Sequence, residues 1–220
     1  MSFTIDTQIT CYLLPEDGPA AQAEFLKNLN DPGETWIIAY AFTLPDMIQE
    51  LLAAQQKGIP LHLYLDYSQY RSGKTTEDPL VKQLVQAGVE VTVGTSPAGS
   101  QYICHTKGIV SDAAKGGSLW CWEGSVNFSL SAWRQVNTAM TFSSQPWRDQ
   151  FVAQFEALRN FAWAKERSLQ IMSKPPKDTG AAPPAARKRY GLAPAAPRAV
   201  AGGGGHAPGR SRPPNRKKNK

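Results

Sequence analysis

Cysteine and histidine are scarce in this chain, with three residues of each among 220. Three cysteines are too few for a disulfide framework, and Cys104 and Cys121 lie in apolar runs typical of strands, so we expect buried reduced thiols. A zinc site built from Cys104, His105 and Cys121 would lack the paired spacing of metal ligands. We therefore predict neither a metal nor a cofactor.

Long apolar runs are also missing. Nowhere do 18 apolar residues follow one another, which excludes a predicted transmembrane segment. The first residues lack the basic start and apolar core of a secretory signal. We expect a protein located in the cytoplasm.

Composition divides the chain near residue 173. All tryptophans and phenylalanines lie before it, and the residues after it are mainly Pro, Ala, Gly, Arg and Lys. A chain of 172 residues can bury a substantial core, whereas the remainder has almost nothing to bury. We predict one folded domain, 1–172, followed by a disordered Pro/Ala/Gly-rich basic tail, 173–220.

Charge follows the same division. The last 48 residues carry 12 of the 24 lysines and arginines but one of the 18 acids, which leaves 12 basic and 17 acidic residues in the domain, a net charge of about −5. The folded domain is therefore not a generally basic nucleic-acid binder, although a local basic cleft is compatible with this count. The tail is either an arm that attracts polyanions or a solubilising extension.

Apolar runs bounded by turn residues alternate with patterns of helical period. We predict strands at 8–14, 35–42, 60–67, 89–94, 103–110, 119–122 and 137–142, and helices at 20–29, 44–56, 79–87 and 147–169. Residues 68–78 are expected to form a polar connection. The alternation predicts an α/β fold with a mixed sheet flanked by helices.

The segment with the clearest chemistry contains His105 and Lys107, followed by Ser125 and Asn127. On a strand, residues two apart point to the same face, so His105 and Lys107 would project together. Ser125 and Asn127 repeat this spacing, and Gly124 before them lets the backbone approach a bulky anion. These four side chains are predicted to converge on a phosphate.

The residue types suggest a mechanism for phosphoryl chemistry. A neutral His105 can attack phosphorus and form a covalent phosphohistidine. Lys107 would balance charge on the phosphate oxygens, while Ser125 and Asn127 donate hydrogen bonds to them. Such a site needs no Mg²⁺.

The leaving oxygen needs a proton donor, for which a second histidine is suited. His206 lies in the glycine-rich tail, and His62 faces away from a leucine stripe, so we interpret His62 as a packing residue. The second histidine would then be His105 of another copy, brought in across a two-fold axis. The sequence predicts a homodimer with a shared active site.

His105, Lys107 and Asp112, with Gly124, Ser125 and Asn127 after them, resemble the HxKxxxxD motif of the phospholipase D superfamily. Residues 8–170 resemble its small bacterial endonucleases, which carry one such motif. The resemblance implies a mixed sheet between helices, a dimer with one active site at the interface, and metal-independent cleavage of phosphodiesters. It also implies that Asp112 belongs to the catalytic motif, where it is expected to hold local structure through hydrogen bonds.

The chain departs from this family pattern after the motif asparagine. Small members carry an acidic residue shortly after the motif asparagine, where it orients the nucleophilic histidine, but 128–142 contain no Asp or Glu. Gln135 or Asn137 are candidates to replace it. Loss of the carboxylate is expected to lower the basicity of His105.

The predicted function is that of an endonuclease, with DNA favoured over RNA as the substrate. One alternative is a lipid phosphodiesterase, in which four aromatic side chains near the motif line an acyl-chain groove rather than pack in the core. These are Trp120, Trp122, Phe128 and Trp133. Another alternative is a dimer of the same fold that binds nucleic acid without cleaving it.

Overall fold

One sheet of eight strands organises the protein in a computed structural model that describes residues 2–30, 32–72, 77–96, 102–112, 119–161 and 169–171. The strands are β1 Ile9–Leu14, β2 Thr35–Ala39, β3 Leu61–Asp66, β4 Glu90–Gly94, β5 Lys107–Ser111, β6 Trp120–Gly124, β7 Asn137–Phe142 and β8 Leu169–Ile171. Their order in the sheet is β1-β7-β6-β5-β2-β3-β4-β8.

The sheet is mixed. Strands β2, β3, β4 and β8 pair in parallel, whereas β1, β7, β6, β5 and β2 pair antiparallel. Consequently the carboxyl ends of β2, β3 and β6 lie at the same edge of the sheet as the amino ends of β5 and β7. We call this edge the motif edge.

Helices cover both faces of the sheet. They are α1 Gly18–Asn30, α2 Pro45–Gln56, α3 Tyr67–Ser72, α4 Glu77–Gln86 and α5 Gln145–Phe161, and a 3₁₀ turn spans Ala132–Arg134. Apolar residues of α1, α2 and α4 share one core with alternate strand residues such as Ile37 and Ile109. Phe151 and Phe155 of α5 pack on the opposite face with residues such as Ile38 and Val110. The period-two alternation of β2 and β5 therefore supplies both cores.

The predicted fold class is confirmed, and each of the seven predicted strands has a counterpart. The prediction of a polar connection without helices over 68–78 was wrong, because α3 and the start of α4 lie there. Asp66 caps α3: its Oδ1 accepts the backbone N–H groups of Ser68 and Gln69 at 2.9 and 3.2 Å, the contacts expected of an N-cap aspartate.

Two predicted boundaries were also wrong. Strand β5 begins at Lys107 rather than at residue 103, because its partner β2 ends at Ala39, which lies opposite Lys107. Helix α5 does not extend to Leu169, which instead pairs in parallel with Val91 of β4. The predicted tail, 173–220, lies outside the described residues.

The aromatic residues near the motif are core residues. Trp120, Trp122, Phe128 and Trp133 are all buried. They surround Phe25 of α1, with ring centroids 5.0 to 6.0 Å from its ring. The predicted alternative of an acyl-chain groove loses the side chains on which it was based.

Gly124 ends β6 where no side chain fits. A Cβ there would lie 2.3 Å from the Thr138 carbonyl oxygen and 2.9 Å from Ala139 Cα, both backbone atoms of β7. We expect Gly124→Ala to destabilise the fold by about 1–3 kcal/mol, because β6 and β7 must separate. Urea unfolding would measure this loss, and an unchanged midpoint would contradict the close packing of these strands.

Candidate active site at the motif edge

The motif edge brings together four of the five residues predicted for the site. Lys107 starts β5 there, and His105 lies two residues before it. Ser125 and Asn127 follow the end of β6 at Gly124, and β6 pairs antiparallel with β5, so its carboxyl end lies beside the amino end of β5. His105 is therefore not on a strand, as had been predicted, but in the segment that leads into one.

His105 is exposed and lies against Tyr40, the residue after β2. The two rings meet edge to face with centroids 4.6 Å apart. Desolvation lowers the pKa of His105 below 6.5, and the charge of Lys107 lowers it further, while Asp66 opposes both effects. Neutral imidazole is therefore the main form at pH 7, which is the form required of a nucleophile.

Lys107 is only 2% exposed. Its Nζ donates to the His105 carbonyl oxygen at 2.5 Å and lies 5.0 Å from the centroid of the Tyr40 ring. Burial lowers the pKa of Lys107, and nearby Cys104, Glu123 and Asp66 oppose this shift. One aromatic ring thus contacts both the imidazole and the ammonium group, which sets their relative positions.

Ser125 and Asn127 have different surroundings. The Ser125 hydroxyl donates to Asn137 Oδ1 and accepts the Thr138 N–H, both at 2.9 Å. Asn127 Oδ1 is buried and has no hydrogen-bond partner among the described residues. An unpartnered buried oxygen is costly, and such atoms are often found where function constrains a side chain.

Asn137 had been proposed to replace the missing carboxylate. Its side-chain amide contacts the Ser125 hydroxyl and donates to the Ala132 carbonyl oxygen at 3.0 Å. Asn137 thus fastens Ser125 to the loop before β7. Gln135, the other candidate, is exposed.

Asp112 lies at the opposite end of β5. It is five positions after Lys107, about 16 Å along a strand. Both oxygens of its carboxylate accept from Arg148, whose Nε and Nη2 lie 2.7 Å away, and the guanidinium lies 4.6 Å from the centroid of the Trp36 ring. The structure therefore does not bring Asp112 to the other motif residues, but ties β5 to α5 through it.

This position leads to a prediction for Asp112→Asn. We expect a loss of about 1–2 kcal/mol in stability, because the paired, charge-assisted bonds to Arg148 are weakened. The activity per folded molecule should stay close to that of the unmodified protein. Thermal unfolding and an activity assay would measure the two effects, with Asp149→Asn as the control because Asp149 makes only a 3.5 Å contact with Arg148. Loss of activity without loss of stability would contradict this role.

His62 lies at the start of β3, away from the motif edge. Its Nδ1 is 2.8 Å from Glu90 Oε2 and its Nε2 is 3.0 Å from Glu34 Oε1, and its ring stacks on Trp36. Both ring nitrogens are engaged, in agreement with the interpretation of His62 as a packing residue. His206 lies outside the described residues.

Three residues near the motif had not been assigned a role from the sequence: Tyr40, Asp66 and Glu123. Burial raises the pKa of Glu123 to about 7, and Lys107 opposes this shift. Tyr40 and Asp66 could have been found, because each lies at the carboxyl end of a predicted parallel strand, and such ends meet at one edge.

Cys104 and Cys121 are free and buried, as predicted, while Cys11 is exposed. Within the described part of the chain, no three His, Cys, Asp or Glu side chains are grouped so that they could hold a metal ion. No described helix combines the length and apolar character needed to span a bilayer.

Comparison with known proteins agrees with this architecture. Residues 26–163 match the family model described as cardiolipin synthase, PLD-like domain. No curated protein matches the chain. Nuc from Salmonella typhimurium, a phospholipase D family member, is 20% identical with a TM-score of 0.57, and the match covers 70% of this chain and 95% of that one.

Two further solved structures share the fold. NucT from Helicobacter pylori is 15% identical with a TM-score of 0.62, covering 70% of this chain and 97% of its own. Polyphosphate kinase from Porphyromonas gingivalis is 14% identical with a TM-score of 0.53, covering 70% of this chain and 26% of its own. Since the last of these has a different name and activity, the fold alone does not select a substrate.

The chain belongs to the PLD-like domain family, within the phospholipase D superfamily.

Proposed function

We propose that the protein is a nuclease that cleaves phosphodiesters through a covalent phosphohistidine at His105. The observation that carries the proposal is the placement of His105 at the open motif edge, with its pKa lowered and Lys107 beside it on the same Tyr40 ring. A neutral nucleophile next to a buried cation is the arrangement that attack on a phosphate anion requires.

The proposed reaction has two displacements. A nitrogen of His105 forms a bond to phosphorus while the bond to the leaving oxygen breaks, and that oxygen takes a proton from a second histidine. Water then attacks the phosphohistidine, gives its proton back to the second histidine, and releases His105. Lys107 and Asn127 stabilise the charge that shifts onto the phosphate oxygens, and the Ser125 hydroxyl adds a hydrogen bond once its proton turns from Asn137 Oδ1 to the phosphate.

The second histidine is proposed to be His105 of another copy. Large apolar side chains are exposed close to the motif edge: Leu13, Tyr102, Ile103, Leu130 and Val136, the last being 90% exposed. We call these five the apolar rim. Leu13 pairs with Thr138, two residues after Val136, so the rim adjoins the strands that carry the site. Exposed apolar groups of this kind are typical of surfaces that another protein covers, which supports a homodimer.

Nucleic acid is the proposed substrate, because the predicted basic tail would attract a polyanion. Of the two nucleic acids, DNA is favoured over RNA in this proposal. A phospholipid substrate is the less favoured proposal, since the aromatic residues near the motif are buried. The third candidate, a dimer that binds without cleavage, is disfavoured because His105, Lys107, Ser125 and Asn127 are all present at the motif edge. The cytoplasmic location stays a prediction.

Substrate class is tested by incubating the protein with DNA, RNA and phosphatidylcholine vesicles, each with and without EDTA. We expect cleavage of nucleic acid that EDTA does not reduce, since no step needs a metal. Acid quenching during turnover should trap a phosphate on His105, detected by mass spectrometry. Consumption of the lipid alone, or cleavage abolished by EDTA, would contradict the proposal.

The shared site has a quantitative test of its own. If each site takes His105 from two copies, dimers formed with one His105→Ala copy are inactive, and activity falls with the square of the unmodified fraction. Independent copies would instead give a linear fall. The two chains would be co-refolded at several ratios, with Asp149→Asn as the matched diluting control that leaves activity unchanged, because Asp149 is exposed on α5.

A further inference from the structure

We propose that Asp66 is a positioning residue for His105: its carboxylate holds the backbone just before the nucleophile and places a negative charge near the imidazole. This inference rests on the proposed role of His105. In the family pattern a carboxylate after the motif asparagine orients the nucleophilic histidine. We assign that role here to Asp66, at the end of β3.

The first contact is direct. Asp66 is fully buried, and its Oδ2 accepts the N–H of Cys104 at 2.7 Å. Residues 103–106 precede β5 and have no strand partner. The carboxylate therefore replaces the missing ladder hydrogen bond and fixes the chain one residue before His105.

A second series of contacts leads from Asp66 to the Tyr40 ring beside the imidazole. Asp66 Oδ1 caps the first turn of α3, where it accepts the N–H of Gln69. The side chain of Gln69 donates from Nε2 to the Tyr40 hydroxyl at 2.9 Å, and the Tyr40 ring packs against His105. One carboxylate thus orders both the segment that carries His105 and the ring that supports it.

Asp66 differs from the other carboxyl groups nearby in its electrostatic effect on His105. Asp66 raises the pKa of both His105 and Lys107, whereas Glu123 acts on Lys107. Glu77, at the start of α4 and 1% exposed, is close to Asp66, and its own pKa is raised to about 7, mainly by burial. The groups that act on His105 or contact it are therefore Asp66, Lys107 and Tyr40, and Glu77 interacts with Asp66.

The two carboxylate oxygens of Asp66 bind different segments, so Asp66 does more than cap α3. Capping of α3 uses Oδ1, while the bond to Cys104 uses Oδ2. A residue that served only the six-residue helix α3 would have no effect on the titration of His105. The titration is therefore the measurement that separates the two roles.

The experiment is a pH titration of the histidine ring signals by NMR in the full chain, without substrate, using Asp66→Asn. The protein has three histidines, and His105→Gln assigns the signal of His105. We expect the pKa of His105 to fall in Asp66→Asn, because a negative charge that favours the imidazolium is removed. We also expect kcat to fall by about 10-fold or more, because the nucleophile is less well placed.

Asp17→Asn is the matched control. Asp17 Oδ2 likewise accepts a backbone N–H, that of Leu13, at 2.8 Å, but it acts on neither His105 nor Lys107. This variant should leave the His105 titration unchanged. Asp66→Glu, which keeps the charge, should restore the pKa of His105 more fully than it restores kcat.

An unchanged His105 titration in folded Asp66→Asn would overturn this inference, whether or not the protein cleaves phosphodiesters. A shifted titration in a protein that cleaves none would instead overturn the proposed function alone. If Asp66→Asn does not fold, amide hydrogen exchange of the unmodified protein decides: Cys104 should be protected although its neighbours Ile103 and His105 are exposed. Exchange of Cys104 as fast as that of Tyr102 would then contradict the proposal.

Discussion

Replacement of His105 by alanine should abolish phosphodiester cleavage, with a loss of at least about 10³-fold in kcat. The variant lacks the atom that bonds to phosphorus, and neither Lys107 nor Asn127 can take over that step. Because the His105 side chain is exposed, the fold should persist. Steady-state cleavage of DNA, with thermal unfolding of the same preparation, would measure both effects.

The matched control for His105→Ala is His62→Gln. This variant also removes an imidazole, but one that lies between Glu34 and Glu90 at the end of β3 away from the motif edge. It should lower stability without lowering kcat, and it should still form the phosphohistidine. Undiminished cleavage by His105→Ala would eliminate the proposed mechanism.

Lys107→Met should lower kcat by about 10²- to 10³-fold, the range found when one preorganised group that stabilises transition-state charge is removed. Methionine keeps much of the buried apolar stem but lacks the cation beside the phosphate. The pKa of His105 should rise at the same time, because Lys107 is one of the causes that lower it. The pH dependence of kcat/KM would then show its acidic limb displaced to higher pH.

Lys57→Met provides the control for this substitution. Lys57 Nζ also donates to a backbone carbonyl, that of Asn30, at 3.1 Å, but it lies in the C-terminal cap of α2, away from the motif edge. We expect its pH profile and kcat to match those of the unmodified protein. An acidic limb that stays in place in Lys107→Met would show that Lys107 does not act on His105. The His105 pKa should move in opposite directions in Lys107→Met and Asp66→Asn.

Much of the fold could be predicted from local patterns. The runs that became β2 and β3 are apolar and bounded by turn residues, and the helix between them has Pro45 in its first turn. Strand ends were less predictable, since the start of β5 depends on where its neighbour stops. Helix α3 was missed because its cap, Asp66, also belongs to the end of a strand.

Part of the candidate site could also be predicted from local sequence patterns. His105, Lys107, Ser125 and Asn127 lie close together in sequence, so their spacing alone indicated a phosphate site. The resemblance to the family motif added Asp112, yet β5 carries it about 16 Å away from Lys107. The motif therefore includes a residue that the extended backbone holds away from the other four.

The sequence by itself determined the family and the alternation of strands and helices, and it indicated the proposed nucleophile and cation, because each depends on residue types at short spacing. Only the tertiary structure decided that Tyr40 and Asp66 lie at the site and that Asp112 pairs with Arg148. These contacts join residues tens of positions apart, and they form because parallel and antiparallel pairing brings particular strand ends to one edge of the sheet. Such pairing depends on the whole sheet.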